Sequence, residues 1–319
     1  MNSVKQTAKL KFKIIFIIFI LLLSTSATCA ADLPALIMVY DDGYQEDLTE
    51  VFPVHDHYGV PAVTAVNLDY IGMSNWLDFD ELHFLQSKGW EIANHGKKHA
   101  MLTLNKISKE INSADQKIYI KDNSLINTNY NYLLFNIQKD ISEIISIENK
   151  VENNNNTTLK LKAKAKLSYP KNGTYLRLAN SALKREIIDS KIKLENKGLE
   201  IDTFVYPYNG YFPMVREIVA KNYTAARAGY RSGESFPEAF INKPPFKKYR
   251  LKAAAIENDL IKKSDIFSLL KEIKNKRALL IFYAHPHSDN FEINRVKEIL
   301  SYAVKNGIKI TTFRELFSS

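Results

Sequence analysis

Short apolar runs, each closed by polar or turn-forming residues, alternate along this chain with segments of helical periodicity. That alternation limits the fold more than any other feature. Leu36-Ile37-Met38-Val39-Tyr40 is continuous apolar sequence ended by Asp41-Asp42-Gly43. A run of that length bounded by a turn reads as a buried strand. Ala62 to Val66, Glu91 to Asn94, Thr203 to Tyr206 and Ala278 to Tyr283 repeat the pattern, and Lys309 to Phe313 is the last strand. Between them, Leu77 to Lys88, Leu178 to Lys197, Pro213 to Lys221 and Glu292 to Lys305 read as helices, with Gly89, Gly198 and Gly307 as stops. Strands alternating with helices predict parallel βα units closed as a sheet or barrel, an α/β fold. Polar residues gather just after the strands: Asp41, Asp42, His95, Tyr208 and His285. The carboxyl ends of parallel strands are where sites are built.

Residues 105–177 interrupt this rhythm. They hold thirteen Asn, and twelve Lys or Arg against seven Asp or Glu. Phe135, Ile137, Ile141, Ile144, Ile145 and Ile147 suggest a helix there. Leu159, Leu161, Ala163, Ala165 and Leu167 alternate with Lys160, Lys162, Lys164 and Lys166, which predicts a strand with one lysine face. Such a face suits a charged edge strand that blocks unwanted pairing. It also suits contact with an anionic glycan, lipid or envelope surface. The sequons at Asn155, Asn156 and Asn172 fall in this Asn-rich stretch and are read as chance.

The amino terminus reads as an address. Met1 to Lys13 is basic, Ile14 to Leu23 is unbroken apolar sequence, and small residues follow to Ala31. This is the layout of a secretory signal peptide, and the apolar run is short for a membrane span. Cleavage is expected after Ala30 or Ala31, leaving residues 32–319 as the exported domain, periplasmic, extracellular or attached to the envelope. Ser26 and Thr28 stand where a lipid-attachment signal on Cys29 would want an aliphatic and a small residue. Cys29 is the sole cysteine of the 319 residues, which excludes a disulfide framework and a cysteine-based zinc site. Of the net charge of +9, Lys5, Lys9, Lys11 and Lys13 supply four and residues 105–177 supply five. The rest is neutral, which disfavours nucleic acid as a partner.

Adjacent carboxylates such as Asp41 and Asp42 can divide labour, one coordinating a cation and the other taking a proton from water. His95 and His99, four apart, would lie on one face of a helical turn within reach of one metal. Gly96 follows His95 where a zinc-protease helix needs Glu, so that motif is absent. Asp42, His95 and His99 together would supply three ligands and leave open positions, the arrangement of a catalytic site. His285 ends a strand and could act as a general acid; His287, two residues on, is a candidate to support the site from behind it, or is simply exposed. His55, His57 and His83 carry no assigned role.

These motifs, taken together, resemble those of NodB-homology polysaccharide deacetylases, carbohydrate esterase family 4. Val39-Tyr40-Asp41-Asp42-Gly43 is similar to that family's Thr-Phe-Asp-Asp-Gly. His95-Gly-Lys-Lys-His99 is similar to its His-(Ser/Thr)-x-x-His, Phe204 to Gly210 to its Pro-Tyr-Gly motif, and the His285 strand to its carboxyl-terminal histidine motif. The resemblance covers residues 35–104 and 178–317 and leaves the insertion unmatched. It implies a distorted (β/α)7 barrel, one divalent metal, usually zinc, and hydrolysis of N-acetyl groups on an aminosugar glycan by metal-activated water. Carried over, it makes Asp41 the general base, Asp42, His95 and His99 the metal ligands, and His285 the general acid. Pro207 and Tyr208 form the oxyanion turn, with the Tyr208 N–H as donor.

The chain departs from the pattern in three places. No Arg begins the third motif, where Val205 or Tyr206 stands; Asn209 is an extra residue before Gly210; and no Asp-with-Trp fourth motif is visible, both tryptophans, Trp76 and Trp90, lying early. Arg227 and Arg250 are the candidates for the missing supporting roles. The other readings are an O-acetyl or lipid-linked sugar deacetylase and an inactive glycan-binding protein.

Overall fold

The computed structural model describes residues 34–318, apart from 122–124, 154–155, 231 and 258–259. The expected signal peptide, Cys29 included, and Asn155 lie outside the described residues. Fifteen strands are described. The first three are β1 (Ala35–Asp42), β2 (Val63–Val66) and β3 (Glu91–Asn94). The insertion supplies β4 (Asn105–Lys106), β5 (Lys117–Lys121), β6 (Asn131–Asn136), β7 (Ile141–Asn153), β8 (Asn156–Leu161) and β9 (Thr174–Leu178). The remainder are β10 (Thr203–Val205), β11 (Ala225–Arg227), β12 (Ile241–Asn242), β13 (Ala254–Ala255), β14 (Leu279–Ala284) and β15 (Lys309–Ile310).

Strands β13, β14, β1, β2, β3, β10 and β11 pair in that order, every pair parallel. The ring closes where β11 meets the segment leading into β13. Arg227 and Leu251 form a parallel bridge, Ala228 N donates to Leu251 O at 2.8 Å, and Leu251 N donates to Ala226 O at 3.1 Å. The result is the distorted seven-stranded barrel that the motifs implied. Distortion comes from the short strands and from two extra ones. β12 runs antiparallel to the start of β14, and β15 pairs with Ala35 and Leu36 of β1.

Strand residues alternate between two faces. Inward go Ala35, Ile37 and Val39 of β1, Ala93 of β3, Val205 of β10, Ala225 of β11 and Ile281 of β14, all buried in one cluster. Alanine at so many inward positions suits a narrow barrel. Phe313 and Phe317, from the helix Phe313–Phe317, join the same cluster at the end of the barrel where β1 starts. Leu36, Met38 and Tyr40 point the other way, into the larger core beneath the helices. The helices Phe79–Ser87, Pro213–Asn222 and Ile293–Lys305 lie where the periodicity placed them. The helix read at 178–197 runs from Asn180 to Glu195 with a π-turn segment at Arg185–Asp189.

Three readings are corrected. The helix suggested by Phe135 to Ile147 is a β-hairpin, β6 paired antiparallel with β7. The side chain of Asn136 accepts from Gln138 N and Lys139 N, both at 2.9 Å, and Asp140 has φ of +50°, so a polar turn divides the apolar stretch. The spacing that imitated a helix joined residues of two strands. The lysine-faced strand stops at Leu161, and β8 lies between β7 and β5, so it is an interior strand rather than an edge. Lys162, Lys164 and Lys166 follow it in exposed turns while Leu161 and Ala165 are buried. The last predicted strand, Lys309 to Phe313, ends at Ile310. The side chain of Thr312 accepts from Glu315 N and starts the terminal helix.

Candidate active site

The inward positions that are apolar through the barrel become polar at its carboxyl end. After Ile37 and Val39 comes Asp41; after Ala225, Arg227; after Ala93, His95; after Leu279 and Ile281, Tyr283. The strand period thus crowns an apolar core with a layer of reactive groups.

Asp41 is buried, and its Oδ2 receives NH2 of Arg227 at 2.6 Å. Arg227 is itself fully buried, packs its guanidinium over the ring of Tyr283 at 4.4 Å, and donates through NH1 to Asn209 Oδ1 at 3.1 Å. Asn209 in turn donates to Tyr283 OH at 3.1 Å. The extra residue of the third motif therefore belongs to the network that holds the Asp41 carboxylate. Asp41 Oδ1 is buried with no hydrogen-bond partner among the described residues. Arg250, the other candidate, donates from Nε to Tyr211 OH at 3.1 Å and contacts neither Asp41 nor the histidines.

Asp42 has φ of +78°, which turns its side chain away from the direction Asp41 takes. Its Oδ1 lies 3.7 Å from His95 Nε2 and 3.5 Å from His99 Nε2, and the two Nε2 atoms are 3.1 Å apart. One donor atom from each of the three residues lies within 4.8 Å of the others. His95 Nδ1 pairs with Val205 O at 2.8 Å, which makes Nδ1 the protonated nitrogen and leaves a lone pair on Nε2. Burial, helped by its neighbour His99, holds His95 well below the ordinary imidazole pKa. Burial lowers His99 as well, against the opposing pull of Asp42. Two neutral imidazoles and a carboxylate with converging lone pairs fit a divalent cation.

No helical turn joins these histidines, contrary to the spacing argument. Residues 95–100 form a loop in which Gly96 has φ of +93° and His99 +51°. Glu186, from the π-turn segment, holds the loop together. Its Oε2 accepts from Lys97 N at 2.9 Å and Lys98 N at 3.2 Å, and Tyr130 of the insertion donates to Oε1. A β-carbon on Gly96 would lie 2.8 Å from Glu186 Oε2, so that glycine admits the carboxylate.

His285, the residue after β14, faces Asp41 with Nε2 3.8 Å from Asp41 Oδ2. Glu257 takes its Nδ1 at 2.7 Å and its backbone N–H at 3.0 Å. Burial pulls the His285 pKa down, but the bond to Glu257 and the charge of Asp41 outweigh it and raise the pKa to about 9. His287 stacks on Tyr44 with ring centroids 3.6 Å apart. Glu257 and Glu186 escaped the sequence reading. Glu257 follows the apolar Ala253 to Ile256, the signal used for the other strands, but on a run too short to stand out.

Pro207 opens a tight turn in which Tyr208 and Asn209 both have positive φ, +54° and +57°. The Tyr208 ring lies against His99, centroids 4.3 Å apart. It borders a cavity of about 420 Å³ with Asp42, Tyr44, Tyr70 and Trp76. Ile126, Asn127 and Thr128 of the insertion complete the wall. The cleft is thus aromatic, open and shared by barrel and insertion.

Residues 31–131 match a family model described as polysaccharide deacetylase. A search of curated proteins finds no match. Among solved structures, the chain is similar to a family 4 acetyl xylan esterase from Clostridium thermocellum (12% identity, 89% of this chain, 90% of that one, TM-score 0.47). It is similar to a mutant of peptidoglycan deacetylase PdaC from Bacillus subtilis (12%, 90% and 91%, TM-score 0.44). It spans 45% of the BA0330 protein of Bacillus anthracis (12% identity, 68% of this chain, TM-score 0.36). The family resemblance read from the motifs is borne out.

Proposed function

We propose that this chain, whose residues 31–131 match the polysaccharide deacetylase model, is a hydrolase that removes N-acetyl groups from an aminosugar glycan of the envelope or an exported polysaccharide. Export through residues 1–31 is part of this reading.

The observation that carries it is the pairing of an unpartnered buried oxygen, Asp41 Oδ1, with the Asp42, His95 and His99 cluster beside it and His285 opposite. A divalent cation held by those three residues, most simply zinc, would acidify a water and polarise the acetyl carbonyl. Asp41 accepts the proton of the attacking water at Oδ1 while Arg227 holds Oδ2 and keeps the carboxylate aimed. The turn at Pro207 and Tyr208 presents backbone N–H to the developing oxyanion. His285, kept protonated by Glu257, donates from Nε2 to the leaving amine. The product amine is cationic near neutral pH, so the reaction changes the charge of the glycan.

The test is acetate release from N-acetylglucosamine oligomers by residues 32–319, with chelator treatment and zinc restoration. Release that chelator abolishes and zinc restores is the expected result. Metal bound with release only from O-acetylated sugar would move the reading to an ester. Neither metal nor release would leave a glycan-binding protein.

A further inference from the structure

The turn at Tyr208 and Asn209 is a wall common to two cavities. Tyr208 borders the aromatic one described above, and Asn209 borders a second, of about 250 Å³. No role assigned so far uses this second cavity. It reaches close to the reacting groups, because Asn209 is bonded to Arg227 and Arg227 to Asp41. Gly229 lets the walls approach, since a β-carbon there would lie 2.8 Å from the Asn209 amide carbon.

Its lining is cationic. Lys243, Lys247, Arg250 and Lys252 border it against Glu234 and Glu238. Lys252 is bound to Glu234 at 2.8 Å and Lys243 to Glu238 at 3.1 Å. Lys247 and Arg250 meet no carboxylate among the described residues. The Nε of Arg250 is fixed by Tyr211 OH, which orients the guanidinium and leaves its outer N–H groups for a ligand. A guanidinium presents paired donors that match carboxylate or phosphate oxygens. Tyr230, 64% exposed on the rim, offers an aromatic face of the kind that packs on a sugar ring.

We propose that this cavity is a subsite for an acidic substituent, a carboxylate or phosphate, on a sugar neighbouring the one that is deacetylated. The proposal rests on the deacetylase reading for the word neighbouring. It places the anion-recognising charge in residues 243–252 rather than in the lysine-rich insertion.

Calorimetry with a hyaluronan hexasaccharide, which alternates N-acetylglucosamine with glucuronate, and with an N-acetylglucosamine hexamer tests it without turnover. The acidic glycan is expected to bind more tightly at low salt and to lose that preference at high salt. Arg250→Gln should cut the ratio of acidic to neutral affinity roughly tenfold or more, the effect of one charge-assisted hydrogen bond. Lys247→Gln, at an exposed position with no carboxylate partner among the described residues, should cut it in the same direction. Displacement by glucuronate alone assigns a carboxylate, and displacement by inorganic phosphate alone assigns a phosphate ester. Equal binding of the two glycans, or a ratio unmoved by both substitutions, overturns the proposal. Selective binding without acetate release would keep the subsite and sink the deacetylase reading; equal release from both glycans without selectivity would do the reverse.

Discussion

Asp41 and Asp42 are chemically identical and adjacent, yet their surroundings give them separate partners. Asp41 continues the inward register of β1 and meets Arg227, whereas the positive φ of Asp42 swings its carboxylate to the two histidines. Asp41→Asn should therefore retain metal, measured by calorimetric zinc titration, and lose turnover by about a hundredfold to ten-thousandfold. Asp42→Ala should lose the metal itself. An Asp41→Asn enzyme with full activity would show that the base is another group. His285 gives a second prediction. Its pKa of about 9 should set the alkaline limb of the rate profile, because the proton it donates is lost above that pH. Glu257→Gln removes the carboxylate that sustains the charge, so the limb should move down toward the ordinary imidazole value of 6.5. The same raised pKa favours the folded state. That contribution is full below about pH 6.5 and is lost as pH rises through about 9, which thermal unfolding across the range would read.

At the scale of elements, the loop 95–100 shows how a site is built from parts distant in sequence. The backbone N–H groups of Lys97, Lys98 and Ala100 are satisfied by Glu186, ninety-one residues after His95 on a helix, and Glu186 is in turn held by Tyr130 of the insertion. Glu186→Ala should lower zinc affinity about tenfold to a hundredfold, the usual effect of removing a partner behind the ligands. Glu186→Gln keeps one acceptor oxygen and should recover part of that affinity. Equal affinity in all three proteins would mean that the loop holds its shape unaided. The insertion is consequently more than a decoration on the barrel: it steadies the histidine loop and walls the aromatic cleft with Ile126 to Thr128.

At the scale of the whole molecule, the barrel is sealed by apolar side chains at one end and carries the polar cluster of Asp41, Asp42 and the histidines at the other. Phe313 is fully buried among the inward residues Ala35 and Leu279, far along the strands from Asp41. Phe313→Ala should cost about 3–5 kcal/mol in denaturant unfolding. At low temperature, where the folded form still dominates, its turnover should stay near that of the parent. A large loss of turnover with little loss of stability would mean that the two ends are coupled.

The local grammar of the chain determined a good deal by itself. Apolar runs ending in Asp41, Asn94 and Tyr206 located barrel strands because a strand buried on both faces must be apolar throughout. The order of motifs pointed to the family whose model residues 31–131 match, and Asp42, His95 and His99 were legible as a candidate ligand set from residue type, spacing and resemblance, a set that the structure brings together. Spacing misled where it was asked to supply geometry. His95 and His99 converge through a loop with two positive φ angles, and the isoleucines of 135–147 belong to two paired strands. Only the tertiary structure chose Arg227 over Arg250, joined Glu257 to His285 and Glu186 to the histidine loop, and made Asn209 a strut. Those contacts span from 18 to 186 residues. A linear sequence records which groups are available for them, but a barrel must close before they meet.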